Sequence, residues 1–299
     1  MNTSQPNNRA NLIGSLWMTL AMAIFAIEDV FIKAASSSVP TGQILIIFGL
    51  GGVAIFATIA SAQKESLFPK AVLSKAMRIR MVFEITGRLF FVLAITLTPL
   101  SSVTVILQAT PICVVAAATI LFSEKVGWRR WSAIILGLIG VLIILQPGTD
   151  SFAPLSILAV IGMLGFAARD LASRAAPASL STAVLGFYGF IALIIAGSAY
   201  ALWQGVPFVW PQGLAILYLV GAILAGVAAY SCLMKAMRTG EVSAVTPFRY
   251  TRLIFGVGCG VVLFGETLSS TMLLGSGLIV LSGLFILWRS KQAAPQKAR

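Results

Sequence analysis

The sequence predicts an all-α polytopic membrane protein, in which ten transmembrane helices form two inverted five-helix repeats around a central cavity. Three observations support this fold class. Apolar stretches recur at about 20 residues, the length that a helix needs to cross the hydrocarbon core of a bilayer. The two halves of the chain resemble each other. Basic residues concentrate in every second connection between the apolar stretches.

The composition separates this chain from soluble proteins. It is 59% hydrophobic and 10% charged, with a mean hydropathy of +0.98, whereas soluble domains carry about 25% charged residues. Because lipid offers no partner to backbone polar groups, each span is predicted to be a helix. We place the ten spans at residues 12–33, 41–61, 79–97, 100–122, 129–146, 153–173, 180–202, 212–236, 242–264 and 270–288.

The net charge of +12 is distributed unevenly across the predicted membrane. Nearly all the basic residues near the span ends, Arg80 among them, fall on one side, whereas the opposite connections hold only Lys33 at the edge of span one. The positive-inside rule then places both termini in the cytoplasm. The same asymmetry argues against a nucleic-acid partner. The predicted partners are the lipid bilayer and a small-molecule substrate, and we expect a monomer.

An internal repeat divides the chain into residues 1–148 and 149–299. Phe25 and Asp29 recur 141 positions later as Phe166 and Asp170, and the Leu-Phe-Ser-Glu of 121–124 returns as the Leu-Phe-Gly-Glu of 263–266. Five spans are an odd number, so the second half enters the membrane from the opposite side. Inverted repeats of this kind are typical of transporters that work by alternating access. The alternative is that duplication merely builds a stable bundle.

Two pairs of charged residues lie near the ends of repeat-related spans. Asp29 and Lys33 are one helical turn apart, as are Asp170 and Arg174, and this spacing allows an ion pair within each helix. The first pair lies near the outer end of span one and the second near the inner end of span six. We interpret them as gate contacts or as structural anchors.

Other charged residues lie closer to the middle of the membrane, where each charge is costly. Glu84 and Arg88 are four apart on span three, and Arg249 and Arg252 are three apart on span nine. Three deep cations against one deep anion suggest that an anionic group, such as a substrate carboxylate, binds there. The alternative is structural pairing with Glu84, Glu28 or backbone carbonyls. Polar and aromatic residues at a similar depth complete the predicted substrate-binding set, namely Gln108, Thr246, Phe248, Tyr250, Tyr230 and Trp17.

These residue types suit a zwitterion. Arginine can bind a carboxylate, Glu84 or Gln108 can accept hydrogen bonds from an ammonium, and aromatic rings can stack on an apolar side chain. For Trp17 and Phe248, packing or an interfacial position is the alternative. Glu84, Glu28, Asp29 and Asp170 are the candidate proton carriers. The residues leave proton-coupled transport and facilitated diffusion both open.

Several chemistries lack the residues they need. The chain has no histidine, and its three cysteines all fall within spans. We find neither metal-ligand spacing nor a nucleophile–base constellation, so we expect no cofactor, no metal and no enzymatic activity. Polar residues are too sparse to line a channel. The glycines at 256, 258 and 260 favour close helix packing over dinucleotide binding, because no strand precedes them.

Each half ends in a proline-containing span, an acidic turn and a glycine-rich last span, the turn residues being Glu124 and Glu266. This pattern resembles the EamA-type repeat of the drug/metabolite transporter superfamily over essentially the whole chain. The sequence is also similar to bacterial exporters of aromatic amino acids of the YddG type. The resemblance implies a central cavity between the repeats, a location in the inner membrane of a bacterium, and export of amino acids and related metabolites from the cytoplasm. Within the superfamily, multidrug export and exchange of sugar phosphates or nucleotide sugars are alternatives. Because Glu124 and Glu266 fall in predicted loops, we expect them to have a structural role in the turns rather than to contact the substrate.

Overall fold

A computed structural model describes residues 8–121, 128–146, 153–174, 177, 179–239 and 245–293. All regular structure in these ranges is helical, which confirms the predicted all-α fold class. The α-helices are α1 (Asn8–Ala35), α2 (Thr41–Ala62), α3 (Lys75–Leu97), α4 (Leu100–Leu107), α5 (Thr110–Leu121), α6 (Trp128–Leu145), α7 (Ser156–Arg174), α8 (Thr182–Gln204), α9 (Leu214–Thr239), α10 (Thr251–Phe264) and α11 (Ser270–Ala293). Two short 3₁₀-helices cover Lys70–Leu73 and Thr246–Tyr250.

These helices correspond to the ten predicted spans, because α4 with α5 and the second 3₁₀-helix with α10 each form one broken segment. Within the described ranges, 6 helices are long and apolar enough to cross a membrane on composition alone. α3 is long enough but more polar, because it carries Arg80, Glu84 and Arg88 within its length. The charges that interrupt its apolar character are those of the candidate site.

The two broken helical segments are interrupted at positions that correspond to each other in the two repeats. α4 ends at Leu107, and α5 starts two residues after Gln108 with Pro111 in its first turn, where a missing N–H costs no helical hydrogen bond. The second break falls at Tyr250, 142 positions after Gln108. The Gln108 amide Nε2 donates to the Tyr250 carbonyl at 3.1 Å, so the two breaks meet and bond to each other.

Helices of one half pack mainly on helices of the other. The principal pairs are α1 with α9, α2 with α8, α3 with α7, and α6 with α11. The paired helices run antiparallel, since Gly42 at the start of α2 lies against Ala201 at the end of α8, while Gly52 lies against Phe190. Exchanging the halves maps the α1–α9 pair onto the α7–α3 pair. This is the arrangement that two inverted repeats produce.

Glycine allows the α2–α8 pair to approach closely. A Cβ at Gly52 would lie 1.9 Å from Cδ1 of Phe190. We therefore expect Gly52→Ala to lower the free energy of unfolding by roughly 1–3 kcal/mol through overpacking, seen as a lower thermal midpoint in detergent. Gly189→Ala is the matched control, since a Cβ there meets no heavy atom within 4 Å. Equal losses in the two variants would contradict this account of the interface.

Candidate substrate-binding site

A network of buried and half-buried charges crosses the interface between the two halves. It joins α1, α3, α7 and the broken segment at 246–264. Its carboxylates belong to Glu28, Asp29, Glu84 and Asp170, and its guanidinium groups to Arg80, Arg88, Arg169, Arg249 and Arg252. The predicted excess of three deep cations over one anion is therefore wrong. The prediction overlooked Arg169 and placed Arg80 at the membrane edge, whereas Arg80 is buried.

Glu84 is the most heavily paired carboxylate of the network. It lies 3.4 Å from Arg80, 3.5 Å from Arg88 and 3.2 Å from Arg169, and is 2% exposed. The four-residue spacing places Arg80 and Arg88 one turn to either side of it on α3, and Arg169 reaches it from α7. Its oxygens are already occupied by guanidinium donors, so Glu84 ties α3 to α7 in this structure. Ammonium binding by Glu84 stays a prediction.

Two adjacent acidic residues of α1 take different partners. Arg252 Nη2 donates to Asp29 Oδ2 at 2.6 Å, and Arg88 Nη1 donates to Glu28 Oε1 at 3.4 Å. In the described part of the chain, Glu28 Oε2, Asp29 Oδ1 and Arg252 Nε are buried without a hydrogen-bond partner. Each such atom costs about 1–3 kcal/mol when left unsatisfied. The network thus retains unused acceptors and an unused donor at its centre.

Asp170 forms the more accessible end of the network. Arg169 Nη2 lies 2.8 Å from one of its oxygens and Arg249 Nη1 lies 3.4 Å from the other. Side-chain exposure is 19% for Arg169, 23% for Asp170 and 27% for Arg249, against 1% for Asp29. A molecule approaching the network therefore meets these three residues first, near the C-terminal end of α7. The Arg174 side chain, predicted to pair with Asp170, lies outside the described residues.

The guanidinium groups stack on phenylalanines that the sequence interpretation passed over. Arg169 lies 4.6 Å and Arg88 5.8 Å from the Phe166 ring centre. Arg252 lies 5.2 Å from the ring centre of Phe25, and it also contacts Phe91. A signal for two of them was present, because Phe25 and Phe166 are matched residues of the repeat.

The predicted aromatic residues lie at different places around this network. The Tyr230 ring packs on Phe56 and lies near Arg80 and Glu84. The Lys235 Nζ lies 4.1 Å from the Trp17 ring centre, and Phe248 is 41% exposed. Tyr250 packs against α11, where a Cβ at Gly283 would lie 1.5 Å from its hydroxyl oxygen. The Thr246 side chain lies outside the described residues. Substrate contact by the residues of this set stays a prediction.

Gln108 is buried, with its amide directed to backbone rather than to open space. Besides the Tyr250 carbonyl, its Nε2 reaches the Arg249 carbonyl at 3.5 Å. Its side chain therefore holds the turn that carries Arg249. A role for Gln108 in binding an ammonium group stays a prediction.

Lys33 and Glu266 form a separate contact, which we call the Lys33–Glu266 latch. Lys33 Nζ donates to the Thr98 carbonyl at 2.6 Å and lies 3.5 Å from Glu266 Oε1. The predicted Asp29–Lys33 pair is therefore wrong. Asp29 faces α10 and meets Arg252, whereas the long Lys33 side chain extends to the α3–α4 connection.

Glu266 caps the N-terminus of α4. Its two oxygens accept from the backbone N–H groups of Leu100 at 2.7 Å and Ser101 at 2.9 Å, which have no acceptor within the helix. The glycine-rich motif of α10 makes this contact possible, because a Cβ at Gly260 would lie 2.5 Å from Glu266 Oε2. This contact agrees with the structural role that the position of Glu266 in a predicted turn suggested. Glu124, its repeat counterpart, lies outside the described residues.

The electrostatics of the latch favour an ionised Glu266 at neutral pH. Burial raises the pKa of Glu266, but hydrogen bonds from Ser101 and Leu100 and the charge of Lys33 lower it more, so this pKa lies below its ordinary value of 4.5. A carboxylate with a depressed pKa contributes its stabilisation above the ordinary pKa, and the stabilisation is lost as the pH falls through the depressed value. The latch is therefore intact across the physiological range.

Two apolar grooves lie away from the charged network. One, of about 210 Å³, lies along α2 and α9 between Ile47 and Ile223. The other, of about 400 Å³, lies between α10 and α11 and includes Leu253 and Met272. No charged residue lines either groove, so neither offers the polar contacts that a charged metabolite requires.

A duplicated, inverted helical bundle with a charge network between its halves defines a membrane transporter. The chain belongs to the EamA-like transporter family, whose pattern matches residues 12–146 and again residues 154–288. This result confirms the predicted superfamily and the prediction of a multi-pass membrane transporter of a bacterial family.

Characterised relatives transport different molecules. An S-adenosylmethionine uptake transporter of Rickettsia prowazekii is 23% identical over 96% of both chains. A riboflavin transporter of Rhizobium johnstonii is 25% identical over 92% of this chain and 91% of its own, and the pseudopaline exporter CntI of Pseudomonas aeruginosa is 24% identical over 90% and 94%. A crystal structure with a TM-score of 0.62, 19% identical over 96% of this chain and 99% of its own, shares the fold. None of these names supports the narrower similarity to aromatic amino acid exporters.

Proposed function

We propose that this protein moves zwitterionic, amino-acid-type metabolites across the bacterial inner membrane by alternating access. The observation that carries the proposal is the mixed network of four carboxylates and five guanidinium groups, with unused atoms of both kinds at its centre. A molecule with both an ammonium and a carboxylate can replace contacts of either sign. The proposal includes cytoplasmic termini, a monomeric protein, and residues 1–148 and 149–299 as the two moving halves.

Arg249 is the first candidate to bind the substrate carboxylate. It is the most exposed arginine of the accessible end, and it touches Asp170 only through one 3.4 Å contact. Asp170 keeps Arg169 at 2.8 Å if Arg249 turns away, so the exchange leaves no carboxylate unpaired. Arg88 and Arg252 lie deeper and are candidates for a later step.

The carboxylates disfavour the alternatives within the superfamily. A sugar phosphate or nucleotide sugar carries two or more negative charges, whereas the four carboxylates already balance four of the five guanidinium groups, which leaves one net positive charge for it. A neutral flavin uses neither kind of charge. Export of aromatic amino acids is one form of our proposal. The relatives leave the direction of transport open, because one is an uptake transporter and another is an exporter.

An S-adenosylmethionine-like substrate is the second candidate. The Rickettsia relative aligns over 96% of both chains, and S-adenosylmethionine combines an amino acid group with an adenine ring and a sulfonium cation. Asp29 Oδ1 is buried without a described partner, and the other oxygen of Asp29 binds Arg252, which lies over the Phe25 ring. A sulfonium that displaced Arg252 would meet this carboxylate and the Phe25 ring, and cations bind to aromatic faces.

Substituting the arginines tests the proposed site. We expect Arg249→Ala to raise the half-saturating concentration for uptake into proteoliposomes at least tenfold, about 1.4 kcal/mol of binding free energy. The unlabelled competitors would be phenylalanine, S-adenosylmethionine, riboflavin and a sugar phosphate. Only phenylalanine and S-adenosylmethionine should inhibit uptake. Arg129→Ala, on the exposed start of α6, is the matched control. Unchanged transport in Arg88→Ala, Arg249→Ala and Arg252→Ala would show that the site lies elsewhere.

A further inference from the structure

Glu28 is the least neutralised carboxylate of the network. Glu84 contacts three guanidinium groups and Asp170 contacts two. Asp29 has a 2.6 Å contact with Arg252, which pairs with no other described carboxylate. Glu28 has a single 3.4 Å contact, and that contact is with Arg88, which Glu84 shares at 3.5 Å.

The second oxygen of Glu28 has no hydrogen-bond partner in the described part of the chain. Oε2 is buried, and Glu28 as a whole is 1% exposed. The Glu28 carboxyl lies close to the uncharged Gly226 of α9, since a Cβ there would lie 3.4 Å from Glu28 Cδ, and the same Cβ would lie 2.6 Å from the Phe48 ring of α2. The charged groups that face Glu28 are Arg88 from α3, Arg252 from α10 and Asp29 on α1 itself.

We propose that Glu28 is a proton-binding site and that a proton and the substrate cross the membrane together. Burying an ionised carboxylate with one shared, long contact is costly, and a second carboxylate on the next residue adds repulsion. Uptake of a proton from water on one side forms an O–H bond on Glu28 and removes that cost. Release on the other side breaks the same bond.

The shared Arg88 links the proton to the substrate. Protonation of Glu28 removes its attraction for Arg88, so the guanidinium becomes available to a substrate carboxylate. Conversely, a substrate that draws Arg88 away leaves Glu28 without a cation at bonding distance, which favours protonation. Because such coupling is reciprocal, the two ligands bind together rather than in exchange. An inwardly directed proton gradient would then drive uptake. This coupling rests on the proposed function, whereas proton binding at Glu28 does not.

Flux measurements test the coupling. Purified full-length protein in liposomes would be supplied with labelled phenylalanine or S-adenosylmethionine, with and without an imposed gradient that is acidic outside. We expect the gradient to accelerate wild-type uptake at least fivefold and to leave Glu28→Gln unaffected, while Glu28→Gln still exchanges labelled for unlabelled substrate. Glu65→Gln, a substitution outside the network, should respond like the wild type. A wild-type protein that exchanges substrate but ignores the gradient would overturn the coupling.

Infrared difference spectroscopy tests the proton site without substrate. On lowering the pH, the wild type should gain a protonated-carboxyl band that Glu28→Gln lacks and Glu65→Gln keeps. If substrate exchange occurs but the wild type shows no such band, the proton site is wrong and the proposed function stands. If the band is present but neither probe is transported, the proposed function and the coupling both fail while the proton site stands.

Discussion

Glu84→Gln is expected to lower the free energy of unfolding by roughly 3–5 kcal/mol, the usual cost of removing one partner from a buried ion pair. Three guanidinium groups depend on this carboxylate, at 3.2 to 3.5 Å. Glutamine keeps the shape of the side chain but has one acceptor oxygen and no charge. Since whole domains are stable by only about 5–15 kcal/mol, the loss should be visible as poor recovery and a much lower thermal midpoint in detergent.

The matched control is Glu65→Gln. Glu65 accepts from the Ser181 hydroxyl and pairs with no described cation, and a glutamine oxygen can accept the same bond. Adding Arg80→Gln to Glu84→Gln should restore part of the lost stability, because Arg80 pairs with no other described carboxylate and would otherwise stay buried without a counter-ion. A Glu84→Gln protein as stable as the Glu65→Gln control would mean that water or lipid headgroups already neutralise the network.

Much of the fold was predictable because its causes are local. A membrane-spanning helix needs a certain apolar length, and a repeat preserves the letters that set its shape. Gln108 and Pro111 also indicated a break in the fourth span. The hydrogen bond from Gln108 to the carbonyl of Tyr250, its counterpart in the second repeat, could not be predicted, because it depends on how the two halves cross.

The site was predictable in residue types but not in partners. Four-residue spacing suggested an ion pair between Asp29 and Lys33. In a membrane interior, however, a charged side chain pairs with the most favourable partner in space, however distant that partner is in the sequence. Arg252, 223 positions away, supplies it. Arg169 was overlooked beside Asp170, although it holds both Asp170 and Glu84. The phenylalanines under the arginines, by contrast, were marked by the repeat itself at positions 25 and 166.

The shared fold identifies the family, but it does not identify the substrate. Relatives that are 23 to 25% identical carry S-adenosylmethionine and riboflavin on the same frame. The residues that stabilise this shared fold, such as the interfacial glycines and Glu266, are determined by helix packing and helix capping. Under our proposal, substrate choice depends instead on the few charged side chains at the centre, which can differ between the two halves.

Glu266→Ala is expected to open the end of the molecule that the Lys33–Glu266 latch closes. The substitution removes the acceptor of two backbone N–H groups and the carboxylate beside Lys33. Each N–H left buried without an acceptor costs about 1–3 kcal/mol, which hydration in an open state avoids. The balance between closed and open states should therefore shift at least tenfold, or about 1.4 kcal/mol, towards the open state.

A cysteine at position 101 can report this shift. Ser101 is fully buried under the latch, and a cysteine of similar size fits its place. With Cys113, Cys232 and Cys259 replaced by alanine, a water-soluble maleimide should label this cysteine at least tenfold faster when Glu266→Ala is added. Glu266→Gln keeps one acceptor oxygen and should fall between the two, and Glu65→Gln should change nothing. Equal labelling rates in all four proteins would mean that helix packing, rather than Glu266, keeps this end closed, and alternating access would then need its gate elsewhere.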